Sequence, residues 1–245
     1  MLIPFGVLSA AGAGGPVFPS GITGLVARYD ATNAGSISLS GSEVTQWNDL
    51  SGNGHHATQG TSINRPKSGT VTINGKNAID FDGTNDYLFN NGVASSFSGN
   101  DKPFTIFWVQ DKDVANSTPW MFGFDPAGVA YIWSYGDSML FRDDAVTTTS
   151  ISGTGSSSLS PVFMTFRSSG LSFTAWSNKT QTVSATAYDR GNITVNISTI
   201  GAYRQGTLPE LYLDGSIGEL IYYNRELTTG EVAQVQDYLS AKWGI

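Results

Sequence analysis

The chain has 245 residues and no cysteine, and its 13 basic and 20 acidic side chains give a net charge of −7. The absence of cysteine excludes disulfides and cysteine-ligated metal sites. The acidic balance disfavours a phosphate-binding surface, so we expect no nucleic-acid partner. A chain of this length suits one large all-β domain, which buries enough surface to fold without covalent cross-links.

The first charged residue of the chain is Arg28, and the segment before it is apolar at its start and then rich in glycine. No Lys or Arg precedes the apolar run, so the charged start of a secretory signal peptide is missing. The run is also far shorter than the about 20 apolar residues of a membrane-spanning helix, and we expect no membrane insertion. Its large apolar side chains are Leu2, Ile3, Phe5, Val7 and Leu8.

Burial of these five side chains would contribute roughly 1.5–3 kcal/mol each. Ordering about fifteen backbone residues costs roughly 1–2 kcal/mol apiece, which the side chains alone do not offset. The backbone must therefore pair as well, by adding a strand to a neighbour's sheet or by lying in its groove. We predict that residues 1–21 form an extended anchoring arm, with an arm folded back on its own domain as the alternative.

Residues 22–245 are dominated by a two-residue alternation of apolar and polar side chains, which is typical of β-strands. Glycine-containing turns such as Asp82-Gly83 and Ser169-Gly170 separate the strands. No unit of roughly 20–50 residues repeats, so a sandwich or jelly roll is favoured over a propeller. The predicted strands are Leu25–Tyr29, Val44–Trp47, Ala78–Phe81, Phe104–Gln110, Trp120–Phe124, Ala130–Tyr135, Met139–Arg142, Val162–Arg167, Leu171–Ser177, Gln181–Ala187, Thr199–Tyr203, Glu210–Leu213 and Ile217–Tyr223.

One segment, Thr228 to Trp243, has the spacing of a helix. Thr228 and Glu231 fit a capping box, and Gly244 follows the last apolar residue of the stripe. Apolar side chains recur along it every three or four residues. We expect this stripe to cover the sandwich.

Three segments resemble the laminin-G-like domains of bacteria and phages, which belong to the concanavalin A-like lectin/glucanase superfamily. Trp47–Ala57, WNDLSGNGHHA, resembles their opening W-x-D-x-S-G-x-G-x-x-A, and Asp80–Leu88, DFDGTNDYL, resembles their F-D-G-x-x-D-Y/F segment. Gly215–Thr228, GSIGELIYYNRELT, is similar to the closing strand that precedes a helix. The resemblance covers residues 22–245 and implies an all-β, concanavalin A-like jelly-roll sandwich with one C-terminal helix.

The first 14 residues, MLIPFGVLSAAGAG, are similar to the start of many tailed-phage structural proteins. This resemblance implies a virion location, with Leu2, Ile3, Phe5, Val7 and Leu8 anchoring the chain to other virion proteins. It implies a capsid decoration protein that is present as a homo-oligomer or in many copies per particle and displays a lectin-like domain. A phage tail or fibre adhesin and a secreted bacterial carbohydrate-binding module are the alternatives.

Asp82, Asn85 and Asp86 place three side-chain oxygens within five positions. Calcium takes about six to eight oxygen ligands, and relatives of the resembled fold often hold one, so these residues form a candidate calcium site. The same residues suit a β-turn, in which aspartate oxygens bind backbone N–H groups. No other cofactor is expected. His55 and His56 are adjacent and would point to opposite faces of a strand, which disfavours a shared metal.

Trp120, Trp133 and Tyr135 are candidates for stacking on sugars, and cell-surface glycans are the ligand class that we expect for them. Aromatic side chains of strands also build cores. Both roles stay open for each of these residues.

Catalysis by paired carboxylates is not supported by the sequence. Glucanases of the resembled superfamily carry E-x-D-x-x-E on one strand, and Glu210, Asp214 and Glu219 have the wrong spacing and cross a turn. No G-x-S-x-G nucleophile elbow is present. We expect no enzymatic activity, with a glycan lyase or hydrolase that uses an unrecognised site as the alternative.

Overall fold

The computed structural model describes residues 15–123, 130–145, 147–205 and 208–245. The apolar residues predicted to anchor the arm, Leu2 to Leu8, lie outside these residues, and their role stays a prediction. No helix in the described ranges has the length and apolar composition needed to cross a membrane.

Within the described residues the chain forms 21 β-strands and one α-helix, joined by loops and three short 3₁₀ segments. The strands are β1 Leu25–Asp30, β2 Ile37–Ser40, β3 Glu43–Trp47, β4 Ala57–Thr58, β5 Lys67–Ile73, β6 Lys76–Asp82, β7 Leu88–Phe89, β8 Gly99–Asn100, β9 Phe104–Lys112, β10 Trp120–Gly123, β11 Tyr131–Tyr135, β12 Ser138–Arg142, β13 Thr148–Ser152, β14 Val162–Ser168, β15 Ser172–Ser177, β16 Thr180–Ala187, β17 Asn192–Ile193, β18 Ile197–Ile200, β19 Ala202–Gln205, β20 Leu208–Tyr212 and β21 Asp214–Tyr223. The helix is α1, Thr229–Trp243, and the 3₁₀ segments are Ala34–Ser36, Ser62–Asn64 and Asn91–Phe97.

The strands form two antiparallel layers of a jelly-roll sandwich. The first sheet has the order β13-β12-β11-β10-β18-β7-β4-β3-β2. The second has the order β16-β15-β14-β9-β21, and the far edge of β21 pairs with β6 at one end and β1 at the other. Strand β5 pairs with β6 and also makes one pairing with β3, which connects the two sheets. This all-β architecture with one C-terminal helix confirms the predicted fold class.

The core lies between the inner faces of the two sheets. Trp108 of β9 meets Trp120 of β10 edge-on, with 5.5 Å between ring centroids, and Phe166 of β14 packs 4.7 Å from Trp108. All three side chains are buried. Edge-to-face aromatic contacts of this kind add about 0.5–1.5 kcal/mol to the burial of the rings.

The outer face of the second sheet is covered by α1. Phe107, Ile221 and Tyr223 belong to one buried cluster with Leu239 and Trp243 of the helix. The apolar stripe of the helix therefore covers the sandwich, as predicted.

The capping signals at the helix ends are confirmed. The backbone N–H of Glu231 donates to Thr228 Oγ1, and the backbone N–H of Thr228 donates to Glu231 Oε2. The helix ends at Gly244, whose φ of +69° is left-handed. This backbone conformation suits glycine because it has no Cβ.

The single strand predicted over Thr199–Tyr203 is interrupted at Gly201. Strand β18 ends at Ile200, Gly201 has a φ of +87°, and β19 begins at Ala202. A Cβ at Gly201 would lie 2.3 Å from the ring of Phe81, so only glycine fits this bend. Strand β19 then pairs with β20 in a separate hairpin, away from the order of the first sheet.

Candidate functional site

The outer face of the first sheet carries a second cluster of aromatic side chains. Tyr131, Trp133 and Tyr135 occupy alternate positions of β11, so they share one side of the strand. Ile132, which lies between them, points into the core. Leu140 of the neighbouring β12 and Tyr203 of β19 complete the cluster. We call these five residues the aromatic face.

The rings of the aromatic face are closely stacked. The ring of Trp133 lies 4.2 Å from that of Tyr203 and 4.8 Å from that of Tyr135, with interplanar angles of 34° in both pairs. Tyr131 meets Trp133 edge-on at 6.1 Å. Trp133 is 8% exposed, whereas Tyr131, Tyr135 and Leu140 are half-buried. Trp133 is thus the centre of the face, and the two tyrosines and the leucine present its solvent-accessible surface.

A buried hydrogen bond sets the orientation of the central tryptophan. Trp133 Nε1 donates to Thr118 Oγ1 at 3.0 Å. Thr118 is held in the loop before β10, where Lys112 Nζ donates to the backbone oxygen of Ser117. Burial lowers the pKa of Lys112 to about 8. The indole is therefore fixed by a polar contact as well as by stacking.

The two outer faces of the sandwich differ in what covers them. Helix α1 covers the second sheet, whereas the aromatic face of the first sheet includes Tyr203 of the β19–β20 hairpin. Aromatic rings have an apolar surface that packs against the C–H groups of a ligand, and tyrosine adds a hydroxyl for hydrogen bonding. Rings beside a few polar groups are the usual composition of small-molecule sites.

Trp120 does not belong to this face, and its predicted contact with a glycan is wrong. It lies on β10 opposite Ile200 of β18, and both side chains are fully buried in the core. Its ring packs 6.3 Å from Phe166 and has no exposed surface. Trp133 and Tyr135 do lie on the aromatic face, and their contact with glycans stays a prediction.

Sequence reasoning singled out Trp133 and Tyr135 but missed Tyr131, Leu140 and Tyr203. A signal for Tyr131 is present, because it lies two positions before Trp133 on the same predicted strand. No local signal identifies Tyr203, since it reaches Trp133 only through the bend at Gly201.

The predicted calcium residues form a turn. Asp82 Oδ1 accepts hydrogen bonds from the backbone N–H groups of Thr84 and Asn85, at 2.9 and 3.1 Å. Asp86 Oδ2 accepts from the backbone N–H of Asp82 at 3.2 Å. Burial, with a further contribution from the negative charge of Asp82, raises the pKa of Asp86 to about 7. These hydrogen bonds are those expected of a β-turn, which is the alternative interpretation of the three residues.

A calcium ion at this turn would need ligands beyond Asp82, Asn85 and Asp86, because three side chains supply fewer than the about six to eight oxygens that it takes. In the described ranges, no group of three or more His, Asp or Glu side chains is placed to hold a metal ion. Calcium binding by these residues stays a prediction.

Glu219, one of the carboxylates considered for catalysis, holds α1 to the second sheet. It is fully buried and accepts hydrogen bonds from Arg28 Nε, Lys242 Nζ and Trp243 Nε1, at 2.9, 2.8 and 3.1 Å. Tyr238 donates to the same carboxylate at 2.9 Å. These partners give Glu219 a structural role in the closing strand.

No protein-family model matches the sequence, and no curated protein matches it. Solved structures do match. Domain 4 of AbnA, an extracellular GH43 arabinanase from Geobacillus stearothermophilus, in complex with arabinotriose, has a TM-score of 0.57 and 17% identity, over 87% of this chain and 97% of that chain. A sialidase from Trypanosoma rangeli in complex with sialic acid has a TM-score of 0.55 and 16% identity, over 92% of this chain and 35% of that chain.

A third match is the CBM40 of an IT-sialidase from Ruminococcus gnavus, bound to alpha2,3 sialyllactose. It has a TM-score of 0.50 and 13% identity, over 65% of this chain and 94% of that chain. At such identities the matches show a shared fold, and that fold is the jelly-roll sandwich implied by the laminin-G-like resemblance. The matches do not test the virion location of this chain, which stays a prediction.

Proposed function

We propose that this chain is a carbohydrate-binding domain and that it binds sugars on its aromatic face. The observation that carries the proposal is the cluster of stacked rings on the outer side of the first sheet, with Tyr131 and Tyr135 half-buried beside Trp133. The matched arabinanase and sialidase domains, which were solved with sugars bound, support the same class of ligand.

The apolar C–H face of a sugar ring would pack against Tyr131 and Tyr135. Their hydroxyls and the polar side chains of β12 and β13 would set its orientation. The face buries only part of such a ligand, so a single site binds weakly. Several copies of the domain on one assembly would raise the apparent affinity through avidity.

Glycan-array screening followed by calorimetry tests this function. We expect Tyr131→Ala and Tyr135→Ala each to reduce the affinity for the best array ligand by about tenfold, as the loss of about 1.4 kcal/mol of contact energy would. Leu171→Ala is the matched control, because Leu171 is 60% exposed beside β15 of the second sheet. Absence of binding across the array, or equal loss in the control, would refute the proposal.

The proposed activity is binding without cleavage. Glu219 is committed to Arg28 and Lys242, which leaves it no role at a surface site. Array ligands incubated with the protein should be recovered intact by mass spectrometry. Turnover that survives purification and disappears on a single carboxylate substitution would establish an enzyme instead.

The second candidate is display of this domain on a virion, as a capsid decoration protein anchored by residues 1–21. The placement of Phe18 gives the side of the domain from which such an arm would extend: its ring meets Tyr238 of α1 edge-on at 5.5 Å, and the guanidinium of Arg28 lies 4.2 Å from its centroid. The chain therefore enters the domain on the α1 side, opposite the aromatic face. An anchored domain would present that face outward.

Deletion of residues 1–14 tests this role, because it leaves Phe18 and every other described residue in place. We expect the truncated protein to bind the same sugars as the full chain and to be lost from particles. Normal occupancy of the truncated protein in particles would contradict the anchor.

A further inference from the structure

We infer that the aromatic face selects sugars that carry a carboxylate, and that Arg142 is the residue that binds this carboxylate. The inference rests on the proposed function, since it names the chemical class of the ligand at the same site.

Arg142 lies at the edge of the aromatic face. It is the last residue of β12 and the direct partner of Tyr131 in the antiparallel pairing with β11. Directly opposed residues of antiparallel strands have Cβ atoms about 4.5–5.5 Å apart on the same side of the sheet. Phe141, the preceding residue, is buried in the core, so Arg142 points outward with Leu140.

The guanidinium of Arg142 makes no hydrogen bond or ion pair with the residues that the structure describes, and its Nε is buried without an acceptor. The other arginines with described side chains do have polar partners: Arg28, Arg65, Arg167 and Arg225 form ion pairs, and Arg190 donates to a backbone oxygen. A buried charged donor without an acceptor is unfavourable. Among the described residues, the cation at the edge of the aromatic face therefore has no anion.

The neighbouring carboxylates are engaged elsewhere. Asp143 Oδ1 accepts from the backbone N–H of Thr147 at 2.7 Å. Asp144 accepts from Asn192 Nδ2 and from both the backbone and the hydroxyl of Thr194. Both aspartates hold their own loop together, so neither of these described carboxylates supplies an anion to Arg142.

Geometry favours a carboxylate as that anion. A guanidinium is planar and matches a carboxylate through two parallel hydrogen bonds. The adjacent tyrosine rings suit the apolar face of the same sugar. The net charge of −7 opposes long-range attraction of polyanions, which favours a sugar with one carboxylate over a heavily sulfated chain.

The test compares three pairs of sugars that differ by an acidic group: glucuronic acid with glucose, galacturonic acid with galactose, and sialyllactose with lactose. Binding is measured first on an array of the conjugated sugars and then by calorimetry. We expect the wild-type protein to prefer at least one acidic member by about tenfold or more, the ratio that a charged hydrogen bond provides. Arg142→Gln should abolish this preference, and Arg142→Lys should restore part of it.

Lys179→Gln is the charge-matched control, because Lys179 is exposed and pairs with Asp237 of α1 on the other side of the sandwich. Arg142→Gln removes no described contact, and its melting temperature should match that of the wild type. Binding that depends on Tyr131 but shows no acidic preference would overturn the role of Arg142 and leave the proposed function standing. A preference for sulfated over carboxylated sugars would also overturn it. Absence of any sugar binding would refute both the proposed function and the role of Arg142.

Discussion

Gly218 lies directly beneath the indole of Trp243: a Cβ atom at residue 218 would stand 2.5 Å from the ring. Gly218 is the irregular position of β21, where the pairing with β9 shifts between Ile217 and Glu219. This close approach lets the last turn of α1 lie flat on the second sheet. It gives a physical reason for glycine at this position of the closing GSIGE segment.

Gly218→Ala should therefore destabilise the domain by about 1–3 kcal/mol, the usual range for forcing an extra methyl group into a packed core. Urea unfolding followed by circular dichroism measures this difference. Gly230→Ala is the matched control: nothing lies within 4 Å of its added Cβ, and it is a helical position where alanine is favoured. Equal stability of the two variants would contradict the close packing of Trp243.

Glu219→Gln removes the charge that pairs with Arg28 of β1 and Lys242 of α1. We expect a loss of about 1.5–3 kcal/mol in the free energy of unfolding, the range for charged hydrogen bonds, because Arg28 and Lys242 keep Asp30 as a second ion-pair partner. Glutamine has nearly the same shape as glutamate, so the measured change in stability reflects the lost charge and not a change in packing. Glu226→Gln serves as the control, since Glu226 is 43% exposed and its pair with Arg167 should contribute less than about 1 kcal/mol.

The sequence predicted the strands whose apolar alternation is strong and missed those without it. Strands β5 and β13 are composed mainly of serine, threonine and other polar residues, and most of their side chains face solvent. The alternation continues across Gly201, so β18 and β19 were merged into one strand. The bend becomes evident only from its packing against Phe81.

The candidate site was predictable only in part. Trp120 and Trp133 both lie in apolar strands, and nothing in their local sequence shows that one faces the core and the other faces outward. The choice depends on pairing with strands distant in the chain, as in the register of Trp120 with Ile200. The missing partner of Arg142 is likewise a property of the folded surroundings.

The raised pKa of Asp86, about 7, makes a prediction for stability against pH. Burial is the main cause, so the folded state holds a proton that the unfolded chain releases near its ordinary pKa of 3.8. Stability should therefore decrease as the pH rises from about 4 to 7 and then level off. Asp86→Asn keeps an acceptor for the Asp82 N–H and should remove this component. Asp237→Asn, on the exposed surface of α1, should leave the pH profile of unfolding unchanged.

Calcium bound by Asp82, Asn85 and Asp86 would require the ionised form of Asp86. Added calcium should then raise the melting temperature more at pH 8 than at pH 5. At a concentration one hundred times the Kd, the free energy of unfolding would increase by about 2.7 kcal/mol. Asp86→Asn should remove the response, and magnesium serves as the control ion. An unchanged melting temperature in millimolar calcium at pH 8 would leave the turn as the sole role of these residues.

Thr118→Val tests whether the hydrogen bond to Trp133 prepares the aromatic face for binding. The substitution leaves the buried indole N–H without its acceptor, which should cost about 1–3 kcal/mol of stability. Because the stacking of Trp133 on Tyr135 depends on the same ring orientation, the affinity for sugars should fall as well. Thr118→Ser keeps the hydroxyl and should retain both stability and affinity. The indole ¹⁵N–H resonance of Trp133 reports the bond directly: an unshifted resonance in Thr118→Val, with full sugar affinity, would show that stacking alone orients the ring.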